Sequence, residues 1–230
     1  MLNINILENE MIENIGEYHV CCVLLIDKSS SMSVANGELH SGLRLLLDEI
    51  KKDEVAAGRV ELSMVTFDSD AREEVPFGPI DSFEIPNMEC SGMTSMHKAV
   101  GIALDMIEKR KAEYKASGTP YYRPWIFMLT DGAPNDADNG EFKALIDAQN
   151  KKKVTFYGVG IGPQANKELL KSLNKDGLCF SASATEFRQA FRWLSTSLST
   201  VSNSTPDTSV ALENPNTNPA KYGGQIVCES

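Results

Sequence analysis

The segment Val20–Ile26, VCCVLLI, is apolar without a break, and comparable runs recur as RVELSMVTF (59–67), PWIFMLT (124–130) and VTFYGVGI (154–161). A strand with one wet face alternates apolar and polar residues. A strand covered on both faces is apolar throughout, so these runs predict strands inside a sheet. Between them the apolar spacing lengthens to threes and fours. Leu39, Leu43, Leu46, Leu47 and Ile50 form one helical stripe, and Met96, Val100, Ala103, Leu104 and Ile107 form another. Buried strands alternating with amphipathic helices specify an α/β, doubly wound architecture: a mostly parallel sheet with helices on both faces.

The remaining pieces fit that plan. AREEVPFGPI follows the second strand too closely for a helical crossover and is expected to fold back antiparallel as an edge strand, where Pro76 and Pro79 are tolerated. After the short strand-like LCFSA, Ser183-Ala184-Thr185-Glu186 forms a capping box, opening a helix with Phe187, Phe191, Leu194 and Leu198 inside. One domain is therefore expected over 18–201, preceded by an extension at 1–17. The Ser-, Asn- and Pro-rich stretch 202–230 is expected to be a poorly ordered tail.

The net charge of −10 opposes binding to a phosphate backbone, so nucleic acid is an unsuitable partner. The first residues are acidic and lack a long apolar core, unlike a secretory signal, and no run reaches the length of a membrane span. A soluble, cytoplasmic protein with no membrane partner is expected. Five cysteines make an odd number with no C-x-x-C pair, which supports neither disulfides nor structural zinc; Cys21 and Cys22 are expected to be buried thiols on opposite faces of a strand.

In such a sheet, ligands bind beyond the carboxyl ends of the strands. The first run ends in LLIDKSSSMS, where Asp27, Ser29 and Ser31 alternate and can aim at one point while Lys28 and Ser30 face away. The third long run ends in FMLTDGAPND, placing Asp131 at an equivalent strand end. ECSGMTSM, before a helix, places Thr94 where a hydroxyl can face the same crevice, with Gly92 freeing the backbone to approach. Two carboxylates and three hydroxyls suit a hard cation: Mg²⁺, with Mn²⁺ or Ca²⁺ able to replace it. If the hydroxyls bind directly and the carboxylates act largely through water, the ion keeps much of its charge and attracts an anionic ligand. An acidic side chain of a partner protein supplies both charge and oxygen.

The motifs DKSSSM, SGMTSM and LTDGAPND resemble those of the von Willebrand factor A (vWA) domain family, with its metal-ion-dependent adhesion site (MIDAS), over 18–201. All five MIDAS positions are filled: Asp27, Ser29, Ser31, Thr94 and Asp131. The resemblance implies direct coordination by the hydroxyls, water-mediated contact by at least one Asp, and cation-dependent protein binding. It also implies a Rossmann-like, six-stranded sheet with one antiparallel edge strand. The T-D-G-x-P-x-D loop is most similar to the intracellular bacterial TerY-like branch of tellurium-resistance and stress-response proteins, implying stress-response, kinase or phosphatase partners. Lys28 stands where most members have a small residue or Thr, and Ser30 where most have Gly. Neither position ligates, but Lys28 is expected to lower the attraction for cations.

Other chemistry fits less well. GIGPQA (160–165) matches the dinucleotide fingerprint, but too little chain follows for the rest of a dinucleotide half-domain. Phosphoryl transfer through Asp27 as nucleophile, in the manner of haloacid-dehalogenase-like hydrolases, wants a second Asp where Ser29 stands. The expectation is a binding module rather than an enzyme. His97, near Thr94, is expected to be a solvated or capping residue.

Overall fold

The apolar runs form the inner strands of one sheet. The computed structural model describes residues 17–174, 179–182, 187–205, 210–212 and 227–229. The strands are β1 (Val20–Asp27), β2 (Val60–Phe67), β3 (Ala71–Pro79), β4 (Trp125–Thr130), β5 (Thr155–Ile161), β6 (Cys179–Ala182) and β7 (Val227–Glu229). The helices are α1 (Asn36–Lys51), α2 (Glu54–Arg59), α3 (Met96–Ser117), α4 (Glu141–Asn150), α5 (Lys167–Leu173) and α6 (Phe187–Ser202). Every residue of β1, β2 and β4 is buried, as unbroken apolar runs require.

The strand order is β3-β2-β1-β4-β5-β6-β7. β3 pairs antiparallel with β2, as its short connection demands, and the register shifts between Leu62↔Gly78 and Met64↔Val75, the span that holds Pro76. Among the described residues the sheet has seven strands, where six are expected, and a second antiparallel pair, β6 with β7. The extra strand comes from the stretch whose composition predicts a poorly ordered tail. Three residues are too few to produce a periodic signal. The capping box at 183–186 and most of the segment 1–17 lie outside the described residues.

Alternation along β1 divides the core. Cys22, Leu24 and Ile26 join α1, α2 and α6 on one face, and Val23 and Leu25 join α3, α4 and α5 on the other. All five predicted residues of the α1 stripe are buried, together with Gly42. A Cβ at Gly42 would lie 2.3 Å from Cδ2 of Phe191 on α6, so the absent side chain is what lets the two helices approach. In α3 the buried stripe includes Ala99 and Met106, with Leu104 only partly buried at its edge.

A polar cluster interrupts the apolar interior near the amino ends of the strands. Glu61 of β2, in register with Cys21, is 6% exposed. Its carboxylate accepts two bonds from the Arg110 guanidinium at 2.7 Å and one from the Tyr114 hydroxyl at 2.6 Å. His19 Nδ1 lies 3.2 Å away. Burial pushes this carboxyl up, but His19, Arg110 and Tyr114 together outweigh it and hold it at about 2. Among the described residues, no helix is long and apolar enough to cross a membrane.

Candidate metal centre

β1 and β4 are adjacent and parallel, and the strand order reverses between them: β2 lies beyond β1 on one side, β5 beyond β4 on the other. Loops leaving their carboxyl ends diverge and open a crevice. Asp27 is the last residue of β1, and Asp131 follows the last residue of β4.

Asp27 is fully buried, and both its oxygens are engaged. Oδ1 accepts the Ser29 backbone N–H at 2.8 Å and Oδ2 accepts the Thr130 hydroxyl at 2.5 Å. These bonds fix the carboxylate behind the crevice, an arrangement suited to acting through water. Burial pushes its acid up to about 6, against the hydrogen bonds from Thr130 and Ser29, and the charge of Asp131 adds to the rise. In front of it, the hydroxyls of Ser29 and Ser31 are 3.1 Å apart, and Ser31 donates to Asp131 Oδ1 at 2.7 Å. Thr94 Oγ1 lies 3.6 Å from where a Cβ on Gly132 would sit, which puts its buried hydroxyl against the loop that carries Asp131.

These oxygens can be tested against an ion. An octahedral shell with Mg–O distances of about 2.0–2.1 Å has edges of about 2.9 Å, and the wider Ca²⁺ shell has longer ones. The Ser29–Ser31 and Ser31–Asp131 separations of 3.1 and 2.7 Å fall on either side of the Mg²⁺ edge. Two separations are therefore compatible with edges of such a shell, and hydroxyl and carboxylate oxygens are the donor type a small hard cation takes. Among the described residues, no three His, Cys, Asp or Glu side chains gather as a metal-holding group.

The loops are tied to one another by backbone bonds. The Ser30 N–H and hydroxyl both donate to Gly92 O, at 3.2 and 3.1 Å, and Ser91 N donates to Lys28 O at 2.9 Å. Gly92 has φ +73°, and a Cβ there would meet Ser69 Oγ at 2.4 Å, so glycine is required for both reasons. Asn135 N donates to Thr94 O at 2.9 Å, joining the third loop to the second.

Lys28 faces away from the proposed ligands, as alternation predicts, whereas His97 departs from expectation. Lys28 is buried and turns its ammonium to Asp68, 2.7 Å away, so its charge is matched outside the crevice. His97 is buried rather than solvated: its Nδ1 lies 2.8 Å from Asp136 Oδ1 and its ring packs on Phe142. Asp136 also accepts the backbone N–H groups of His97 and Lys98, at 3.2 and 2.9 Å. The N-cap residue Ser95 makes no side-chain cap of its own. Sequence reasoning missed Thr130 and Asp136 as supports, although both stand in the TDGAPND loop that it singled out.

Comparison with known proteins agrees with this architecture. A mouse collagen alpha-5(VI) chain is 25% identical over 179 residues, covering 74% of this chain and 6% of its own length. The uncharacterized protein sll0103 of Synechocystis is 24% identical over 187 residues, covering 77% of this chain and 41% of its own. The chain thus spans less than half of either relative. Among solved structures, the pilus adhesin SpaC of Lactobacillus rhamnosus GG shares the fold with a TM-score of 0.63 at 15% identity, over 80% of this chain and 30% of that one. Proximal thread matrix protein 1 of the mussel byssus, in a structure with a zinc-occupied MIDAS motif, gives a TM-score of 0.54 at 18% identity, over 80% and 48%. The profile of the von Willebrand factor type A domain matches residues 22–196, and the chain belongs to that family.

Proposed function

We propose that this domain is a divalent-cation-dependent protein-binding module. Ser29, Ser31 and Thr94 offer hydroxyl ligands to Mg²⁺, or to Mn²⁺ or Ca²⁺ in its place, with Asp27 and Asp131 supplying the balancing charge. A carboxylate from a partner protein completes the shell. The observation that carries this reading is the Ser29–Ser31–Asp131 line of oxygens, spaced at 3.1 and 2.7 Å across the crevice between β1 and β4. Titration with Mn²⁺, followed by its paramagnetic resonance signal, tests it. The Ser29→Ala, Ser31→Ala double variant is expected to lose at least about tenfold in ion affinity, as loss of coordinating groups does, while unfolding at an unchanged temperature. Wild-type ion binding by that variant would reject the reading.

Binding without catalysis is favoured by Asp27 itself. A nucleophile must reach substrate, whereas this carboxylate is fully buried with each oxygen accepting a hydrogen bond. Turnover of phosphate esters that disappears in Asp27→Asn would overturn the non-enzymatic assignment. The T-D-G-x-P-x-D form of the 130–136 loop supports a finer setting, a cytoplasmic TerY-like stress-response system with a kinase or phosphatase as partner. Recovery of such a partner from the native cytosol in Mg²⁺, and its release by EDTA, is the expected result.

A further inference from the structure

Among the described residues, the large apolar side chains left exposed are Val34, Val55 and Met93. Single exposed apolar residues are ordinary, but two of these stand on loops of the same crevice. Val34, 86% exposed, ends the 3-10 turn Ser30–Val34 that also carries Ser31. Met93, 57% exposed, lies between Gly92 and Thr94. Neither is exposed because its loop is loose. Met93 N donates to Ser69 Oγ at 3.1 Å, and the turn bearing Val34 is anchored by the buried Met32 and closed by the Ala35 N–H bond to Met32 O at 3.0 Å. The backbone therefore presents both side chains to solvent from fixed positions.

The charges around the crevice narrow what could cover them. Lys28 is paired with Asp68, Arg72 with Glu74 and Lys98 with Asp70. Each of these cations already faces a carboxylate of this chain, which weakens its pull on a second acidic residue. The net charge of −10 would repel an acidic tract.

We infer that the crevice recognises a single Asp or Glu flanked by apolar residues, with Val34 and Met93 covering those neighbours. This rests on the cation-dependent binding reading above. Apolar contacts around a polar centre exclude water from it, which strengthens the central charge interaction without adding a charge of their own.

A displayed library of random seven-residue peptides, bound to the full chain in Mg²⁺ and eluted with EDTA, provides the test. The expected winners carry one acidic residue with Leu, Ile, Met, Phe or Val beside it. The Val34→Ser, Met93→Ser double variant is expected to bind a synthetic winning peptide at least tenfold more weakly, while binding Mn²⁺ as the wild type does. Winners with polar or acidic flanks, or equal peptide affinity in the double variant, would overturn this inference and leave the binding module standing. If no acidic peptide elutes with EDTA although Mn²⁺ binds, both fail.

Discussion

Asp136 is not one of the proposed ligands, yet it holds the segment that brings Thr94 to the crevice. Its carboxylate accepts two N–H groups from the first turn of α3, where a helix favours negative charge, and binds the His97 ring as well. Burial alone would raise its acid, but the Lys98 and His97 bonds hold it below the ordinary Asp range. Asp136→Ala is expected to cost about 1 kcal/mol of stability in urea unfolding, and to weaken Mn²⁺ binding roughly tenfold, as loss of an orienting partner does. Asp136→Asn, which still accepts hydrogen bonds, should recover most of the stability. The proposed ligands were visible in the sequence because alternation and strand ends are local signals: Asp27, Ser29 and Ser31 announce themselves by spacing. Asp136 and Asp68 act on residues far away in the chain, His97 and Lys28, and no local pattern records such a pairing.

At the scale of elements, the α1 stripe was legible and its partner was not. Leucines at helical spacing mark a buried face, but Gly42 lies within that face and is silent, since it has no side chain to count. Its meaning comes only from Phe191 on α6. Gly42→Ala is expected to destabilise the fold by about 1–3 kcal/mol through overpacking, read as a lower urea midpoint. Gly37 on the same helix has nothing within 4 Å of a built Cβ. Gly37→Ala should therefore stabilise by a few tenths to about 1 kcal/mol. Opposite signs for two Gly→Ala changes in one helix would separate helix propensity from the packing of α1 on α6. The parallel run of the inner strands was also readable, because helical segments lie between them, but their order was not, and β7 was too brief to leave a pattern.

At the scale of the whole molecule, two polar clusters among the described residues lie at opposite ends of the sheet. The crevice lies beyond the carboxyl ends of β1 and β4, and the Glu61 cluster near the amino ends of β1 and β2. Glu61 was hidden from sequence reasoning because one acid within RVELSMVTF looks like a surface residue until α3 supplies Arg110 and Tyr114. Its carboxyl titrates at about 2 in the fold against an ordinary 4.5. A depressed acid stabilises the fold fully above its unfolded value and loses that contribution as the pH falls through the folded one. A contribution on the order of 3 kcal/mol should therefore fade between about pH 4.5 and 2, seen in urea midpoints across that range. Glu61→Gln should flatten this part of the profile while lowering stability at pH 7.

The two flanks of the sheet bear on how the domain meets other proteins. One flank, β3, is interrupted by Pro76 and bears exposed Arg72 and Glu73; the other, β7, is three residues long. Neither offers a long ladder of free backbone groups for another chain to extend. A visitor built to add itself as a strand finds little to pair with among the described residues. Copies of such a domain can be crowded side by side, or strung along a long polypeptide, without their sheets fusing into one.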